Sequence, residues 1–194
     1  MDREITLLAA VRKMDEEALT GIFEYYAPAL YKYAYRLCNN AVLADQLVDL
    51  VYNRFMQELS TNQSTSVSLR TFLYEIAYDI LIHDTRYMDY LLSSDGALWQ
   101  RNWLIAEPEA EDDYFLNSIQ RAIIQNLTED QRHVILLRFT EGFSLKETAA
   151  IIGKKVNNVK VIQNRAVAAL RKALDYPAGE TQTITLFLRR MAQV

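Results

Sequence analysis

The fold of the second half of the chain is decided by residues 127–174, LTEDQRHVILLRFTEGFSLKETAAIIGKKVNNVKVIQNRAVAALRKAL. In a capping box, a hydroxyl and a longer polar side chain satisfy the free N–H groups at the start of a helix. This pattern occurs twice, at Thr128 with Gln131 and at Ser144 with Glu147. Gly142 suits a left-handed stop after the first helix, and Gly153 ends the second, short one. A final helix from about residue 156 to residue 174 completes the helix-turn-helix that this order predicts.

The last predicted helix has one apolar face and one polar face. With about 100° of rotation per residue, the residues expected to pack inward are Val159, Ile162, Ala166, Leu170 and Ala173. The opposite face offers amides that can pair with base edges, a lysine for phosphate or guanine, and a valine for a thymine methyl group. The predicted DNA contacts are Lys154, Lys155, Asn157, Asn158, Lys160, Val161, Gln163, Asn164 and Arg165. A solvated polar face on a packing helix is the alternative interpretation.

Composition excludes several classes of protein. Of the 194 residues, 51% are hydrophobic and one is a cysteine. No apolar run approaches the roughly 20 residues that cross a bilayer, so we expect a soluble, cytoplasmic protein without membrane insertion. A lone cysteine and two distant histidines predict no metal site, and we expect no cofactor and no enzymatic activity.

The net charge of −4 averages two unlike halves of the chain. Residues 1–112 contain nine Lys and Arg against 18 Asp and Glu, whereas residues 113–175 contain ten against six. A basic module beside an acidic one indicates two surfaces with different partners. The basic module is the candidate for binding nucleic acid.

Helical periodicity extends through the first half as well. The first apolar stripe consists of Leu19, Ile22, Phe23, Tyr26, Leu30, Tyr33, Ala34 and Leu37. A second helix follows Asn39 and Asn40, which end the first segment and can cap the next, and a third runs from about residue 69 to residue 87. The sequence therefore predicts an all-α fold of two small helical domains joined by a linker. The expected boundaries are 1–92 for the first domain, 93–112 for an acidic linker, 113–175 for the helix-turn-helix domain and 176–194 for a C-terminal extension.

The sequence alone assigns no contact partner to several side chains. We expect His133 on a helix surface and Cys38 in the packing of an apolar helix. The tyrosines, ten of which precede residue 91, are either core-edge residues or platforms for unpaired bases. Trp99 and Trp103 are expected to dock on a domain or on a partner. For the C-terminal extension, docking on the protein or on a regulator and simple fraying both stay open.

The helix-turn-helix segment resembles the promoter-binding module of bacterial sigma factors, especially the compact extracytoplasmic-function group. The matching features are Leu137-Arg138 before Glu141-Gly142, the box from Ser144 to Glu147, Ala149, Gly153, and Val159-Lys160 followed by Arg165-Ala166 and Leu170-Arg171. The resemblance implies that this module reads the minus-thirty-five promoter element.

Residues 14–90 resemble the other module of that group, in the order LYKYAYRLCNN, LADQLVDLVYNRF and LRTFLYEIAYDILIHDTRY. The resemblance implies a protein that binds core RNA polymerase, directs it to promoter DNA and helps to separate the strands at the minus-ten element. It assigns polymerase binding to Asp45, Gln46, Leu47, Asp49, Arg54 and Phe55. It assigns minus-ten contacts to Arg70, Phe72, Tyr74, Tyr78, Asp79 and Arg86. An anti-sigma factor or other regulator is a further implied partner.

Three departures from the family pattern support a second hypothesis. Gln46 stands where the pattern has an acidic residue, Asp79 where it has an asparagine, and His83 where it has an aspartate. The alternative is a helix-turn-helix regulator, or a degenerate sigma-like protein that binds a partner without opening DNA. An enzyme in the acidic half is disfavoured, because no spacing brings two of its carboxylates together as acid and base.

Overall fold

The computed structural model describes residues 11, 15–60, 68–83, 111–174, 186, 188 and 189. Every regular element within these ranges is a helix, which confirms the all-α fold class with its helix-turn-helix. The chain divides into two compact units, residues 1–89 and 90–194, which are described separately below. Residues 93–110 of the predicted linker, including Trp99 and Trp103, lie outside the described residues, so the linker stays a prediction.

The described part of the first unit comprises α1 (Glu16–Cys38), α2 (Ala41–Ser60) and α3 (Leu69–His83). The Asp15 carboxylate starts α1 by accepting a 2.8 Å hydrogen bond from the Ala18 N–H. Asn39 ends it in the left-handed conformation, at φ 46°. The Asn40 side chain then accepts from the Leu43 N–H at 3.0 Å, which confirms Asn40 as the cap of the second helix. These local bonds explain why two helices meet here at a tight turn.

Aromatic rings connect the helices of the first unit within a mainly aliphatic core. Tyr33 and Tyr74 are completely buried, with ring centroids 5.2 Å apart, and join α1 to α3. Phe55 of α2 packs edge-on against Phe72 of α3 at 6.0 Å. Cys38 is buried beside this core, and burial raises the pKa of its thiol to about 11. The predicted packing role of Cys38 is therefore confirmed, since a protonated thiol is a poor nucleophile.

The second unit contains α4 (Glu111–Asn126), α5 (Glu129–Ile135), a π-helical segment (Leu136–Thr140), α6 (Leu145–Ile151) and α7 (Val156–Ala173). The predicted start of α6 is confirmed, because the Ser144 hydroxyl accepts from the Glu147 N–H at 3.2 Å and the Glu147 carboxylate accepts from the Ser144 N–H at 2.7 Å. Gly142 has φ 73°, which confirms its left-handed turn, and Gly153 has φ 62°. A side chain at either glycine would be strained.

The π-helical segment was not predicted from the sequence. Its defining bond runs from the Glu141 N–H to the Leu136 carbonyl oxygen at 2.9 Å, five residues back. The Thr140 hydroxyl donates to the same carbonyl at 2.7 Å. Such wider turns occur mainly as single insertions in α-helices, frequently at functional sites. Here the insertion lies directly before the turn that leads into α6.

Two predictions for the second unit are wrong. His133, expected at the surface, is 2% exposed and belongs to the core with Val134 and Ile135. Ala173, expected inside, is exposed, and Val167 is buried in its place. Both errors arise because burial depends on which neighbouring helices cover a face, and α7 packs on α4, α5 and α6.

Burial of His133 predicts a pH-dependent stability. Burial and the nearby Arg132 cation lower the pKa of the His133 imidazole to about 3. Between pH 6.5 and 3 the unfolded chain therefore binds one more proton than the folded chain, so stability is complete above pH 6.5 and decreases as the pH falls. We expect the free energy of unfolding to fall by about 2 kcal/mol between pH 7.5 and pH 5. Urea unfolding followed by circular dichroism measures this change.

The control for this prediction is the other histidine. His133→Gln should flatten the dependence between pH 7.5 and pH 5, whereas His83→Gln, on an exposed side chain, should retain it. An NMR titration of the His133 imidazole should show no protonation above pH 5 in the folded protein. Titration near pH 6.5 would contradict the prediction.

Candidate nucleic-acid interface

The exposed face of α7 carries most of the predicted DNA contacts. The buried side of the helix is formed by Val159, Ala166, Val167 and Leu170. On the opposite side, the structure brings together the exposed side chains of Asn157, Asn158, Lys160, Val161, Asn164 and Arg165. Val161 is 47% exposed and adds an apolar side chain to this face. Amides, cations and one methyl-bearing side chain on a single helical face match the chemistry of base edges and phosphates in a major groove.

The start of α7 is suited to a phosphate. Lys155 is the N-cap residue, and its exposed side chain has no oxygen to accept a first-turn N–H. The first-turn N–H groups of a helix attract anions, both as hydrogen-bond donors and through the helix dipole. A lysine at this cap adds a full positive charge at the same end of the helix.

Lys154 makes a different contact from the one expected. Its ammonium lies 3.1 Å from the Asp130 carboxylate of α5. Both side chains are substantially exposed, and exposed ion pairs contribute only about 0–1 kcal/mol. Lys154 can therefore exchange Asp130 for a phosphate at small cost, and its phosphate contact stays a proposal.

Gln163 points to the protein rather than outward. The Arg138 Nε donates to the Gln163 Oε1 at 3.0 Å, and another Arg138 nitrogen donates to the Phe143 carbonyl oxygen. One guanidinium thus ties α7 to the turn that precedes α6. The sequence pattern placed Gln163 beside the DNA-reading face, but the structure gives its carbonyl group a role in orienting α7.

We expect the hydrogen bond between Arg138 and Gln163 to be measurable as a coupling energy in a double-mutant cycle. Arg138→Ala should lower the free energy of unfolding by about 1–2 kcal/mol, because the Phe143 carbonyl and the Gln163 side chain lose a charged donor. Together with Gln163→Ala and the double variant, urea unfolding should give a coupling energy of about 1 kcal/mol. The matched cycle of Arg138→Ala with Asn164→Ala should give a coupling near zero. Equal couplings in both cycles would contradict this role for Gln163.

The residues with an expected role in polymerase binding divide into two groups on α2. Asp45, Gln46, Asp49 and Arg54 are exposed. Leu47 and Phe55 are completely buried in the core of the first unit. The last two are therefore not available as contacts in this conformation, and their assignment to polymerase binding is corrected to packing.

The expected minus-ten residues of α3 divide into two buried aromatic rings and three partly exposed side chains. Tyr74 is fully buried and Phe72 is 9% exposed, so neither ring is available to stack on a base in this conformation. The Arg70 guanidinium lies 5.7 Å from the centroid of the Tyr74 ring. Tyr78 and Asp79 are partly exposed, and Arg86 lies outside the described residues.

An ion-pair cluster joins residues that the sequence assigned to separate surfaces. The Arg54 guanidinium of α2 lies 2.5 Å from the Asp79 carboxylate of α3 and 3.2 Å from Glu58. The His83 imidazole is also 3.0 Å from Asp79. These bonds to the two carboxylates raise the pKa of Arg54 against the opposing effect of its burial. The Asp79 carboxylate is thus already contacted by side chains of the protein itself.

A groove between α1 and α2 was missed at the sequence level. It has a volume of about 440 Å³ and is lined by Phe23, Glu24, Ala27, Pro28, Tyr31, Asp45, Val48 and Asp49. Phe23, a member of the predicted buried stripe, is 43% exposed.

Both units match models of known protein families. The family model described as Sigma-70 region 2 matches residues 22–86, and that described as Sigma-70 region 4 matches residues 123–172. The ECF RNA polymerase sigma factor BldN of Streptomyces coelicolor is 24% identical over 89% of this chain and 66% of its own length. The ECF RNA polymerase sigma factor SigW of Bacillus subtilis is 27% identical over 84% of this chain and 92% of its own length.

The chain belongs to the extracytoplasmic-function group of sigma factors. Sigma factors of this group are transcription initiation factors, and the resemblance seen in the sequence is confirmed. A solved structure has the same fold: the sigma factor RpoE of Bartonella quintana, in complex with the anti-sigma factor NepR, has a TM-score of 0.63. It is 20% identical and covers 82% of this chain and 98% of its own.

The sites of this sigma factor lie in the two regions that the family models match. Region 4 contains α7 and its exposed polar face, and region 2 contains α2, α3 and the groove. The relatives are sigma factors, and proteins of that family are generally not enzymes. Among the described residues, no helix combines the length and hydropathy of a membrane span, and no three His, Cys, Asp or Glu side chains are grouped as metal ligands.

Proposed function

We propose that this sigma factor reads the minus-thirty-five element of its promoters through the exposed face of α7. The observation that carries the proposal is the grouping of Asn157, Lys160, Val161 and Asn164 on one solvent-facing side of a helix whose other side is anchored in the core. Asn164 and Asn157 would pair with base edges, while Lys155 and Arg165 would contact phosphates. Asn158 and Lys154 lie at the same end and extend the phosphate surface.

The first domain is proposed to bind core RNA polymerase through the exposed side of α2. Asp45, Gln46 and Asp49 form this surface, and the adjoining groove adds apolar area. Exposed carboxylates beside an apolar floor suit a partner helix that carries basic and apolar side chains. We assign residues 1–92 to this domain, 93–112 to the linker, 113–175 to the promoter-reading domain and 176–194 to the extension.

We further propose that the protein acts in the cytoplasm, has no catalytic activity and needs no cofactor. Its role then lies entirely in binding polymerase and DNA. An anti-sigma factor is a proposed regulator, since the RpoE structure was determined with one bound.

A reconstituted transcription assay tests this function. The purified protein is mixed with core RNA polymerase and a library of promoter sequences, and transcript 5′ ends are sequenced. We expect start-site-specific transcripts whose templates share an upstream element. Failure to form a complex with core polymerase would refute the assignment of α2.

A second function is supported by the first unit. Because Phe72 and Tyr74 are buried and Asp79 is held by Arg54 and His83, α3 offers little surface for unpaired bases in this conformation. The alternative is a sigma-like protein that binds polymerase and DNA without opening the strands. Permanganate reactivity of thymines near minus ten distinguishes the two, since only the strand-opening function produces reactive thymines.

A further inference from the structure

Val161 is the large apolar side chain that α7 leaves exposed along its described length. It is 47% exposed, whereas Val159 and Val167 of the same helix are buried. A single exposed valine is common on protein surfaces, so the position of Val161 on the helix matters more than its exposure.

Val161 lies on an uncharged stripe of α7, which we call the central stripe. Residues separated by three, four or seven positions share one side of a helix. The central stripe therefore consists of Asn157, Val161, Asn164 and Ala168, and all four side chains are exposed. Amide and methyl groups alternate along it.

Positive side chains lie on both sides of the central stripe. At about 100° of rotation per residue, Lys160 lies about 60° from Asn157 in one direction and Arg165 about 80° in the other. Lys172, seven positions after Arg165, lies on the same side as Arg165, and all three side chains are exposed.

The major groove of duplex DNA has the matching arrangement. Base edges form the floor of the groove, and a negatively charged phosphate backbone runs along each wall. A helix with an uncharged middle and cations on both flanks is complementary to this surface. Charge complementarity therefore favours duplex DNA as the partner that covers the central stripe.

The chemistry of Val161 selects one kind of base edge. Its isopropyl group neither donates nor accepts a hydrogen bond, so it would leave a polar base atom without a partner on contact. Among the four bases, thymine presents an apolar group in the major groove, the C5-methyl group. Contact between the valine and this methyl group removes apolar surface of both from water.

We propose that Val161 is a specificity-determining residue that contacts the C5-methyl group of a thymine in the upstream promoter element. The thymine lies between the bases that pair with Asn157 and Asn164, which are one helical turn before and after Val161. This deepens the proposed function and rests on it, because it assumes that α7 enters the major groove of promoter DNA. It adds that the middle of the sequence read by α7 contains an A·T pair.

Deoxyuridine substitution tests the contact, because uracil differs from thymine only by the absence of the C5-methyl group. The full chain first selects its preferred duplex from a randomised library. Each thymine of that duplex is then replaced in turn, and binding is measured by fluorescence anisotropy. At one thymine we expect about fourfold weaker binding, which corresponds to the burial of one methyl or methylene group.

The variant Val161→Ala should remove this response. Its binding to the thymine duplex and to the deoxyuridine duplex should differ by less than about 1.5-fold, because the shorter side chain does not reach the methyl group. Alanine is a good helix former, so the circular dichroism of the variant should be unchanged. Val42→Ala, at a 64% exposed valine of α2, is the matched control and should keep the wild-type affinity and the fourfold response.

The outcomes separate this proposal from the proposed function. A response to deoxyuridine that persists in Val161→Ala would overturn the contact, since another side chain would then read the methyl group. A preferred duplex without an A·T pair, or a wild-type chain that responds at no thymine, would also overturn it and leave the promoter-reading role of α7 standing. If the wild-type chain prefers no sequence at all, both proposals are wrong.

Discussion

Truncation of Phe55 to alanine should destabilise the first unit by about 3–5 kcal/mol rather than remove a polymerase contact. The Phe55 ring is completely buried, 6.0 Å from the ring of Phe72 and 6.4 Å from that of Tyr52. Its removal loses the transfer free energy of the ring and leaves a cavity between α2 and α3. Because whole domains are stable by only about 5–15 kcal/mol, the unit is expected to be largely or partly unfolded at 37 °C. Thermal unfolding followed by circular dichroism measures the loss.

The matched variant on the same helix is Asp49→Ala. Asp49 is exposed, so its replacement should change the free energy of unfolding by less than about 0.5 kcal/mol. It should nevertheless weaken the complex with core polymerase, measured by size-exclusion chromatography or by competition with another sigma factor. A stable Phe55→Ala protein that has lost only polymerase binding would show that Phe55 is a contact after all.

Replacement of Asn164 by alanine should change which promoter sequences this sigma factor prefers. Asn164 is exposed at the middle of the polar face of α7, where a bidentate amide-to-adenine pair is worth about 1–3 kcal/mol of discrimination. The variant should therefore lose about 5- to 150-fold in affinity for the best sequence and much less for the others. Selection of bound sequences from a randomised duplex library measures this change.

The control for Asn164 is Lys155→Ala at the N-terminal end of the same helix. A lost phosphate contact weakens binding to all sequences by a similar factor and makes the salt dependence shallower. The selected consensus should thus be unchanged in Lys155→Ala. Equal losses on every sequence in Asn164→Ala would rule out base reading by this side chain.

Helix boundaries in the second unit were predictable because they depend on near neighbours. Ser144 and Glu147 satisfy each other's backbone N–H groups across three residues, and Gly142 provides a left-handed turn that few other residues adopt easily. The exposed side of α7 was predictable for a similar reason, since a fixed rotation per residue separates Val159 from Asn164. These patterns also carry the resemblance to the sigma family.

The site residues of the first unit were less predictable, since their exposure depends on distant contacts. The apolar spacing of α2 and α3 indicates helices, but it does not say that Tyr74 meets Tyr33 or that Arg54 meets Asp79. Family resemblance assigns roles by position along the chain, whereas burial separates Leu47 and Phe55 from Asp45 and Asp49 on the same helix.

The sequence alone determined the acidic first half, the basic second half, the all-helical architecture and the order of the helix-turn-helix. Short-range hydrogen bonds and helical periodicity depend on residues that are close in sequence. Packing alone decided that His133 is neutral in the core, that Gln163 accepts a hydrogen bond from Arg138, and that Leu188 is buried. In each case the neighbours of the side chain come from residues that are distant in sequence. Its exposure to water and its charge therefore depend on how the helices pack against one another.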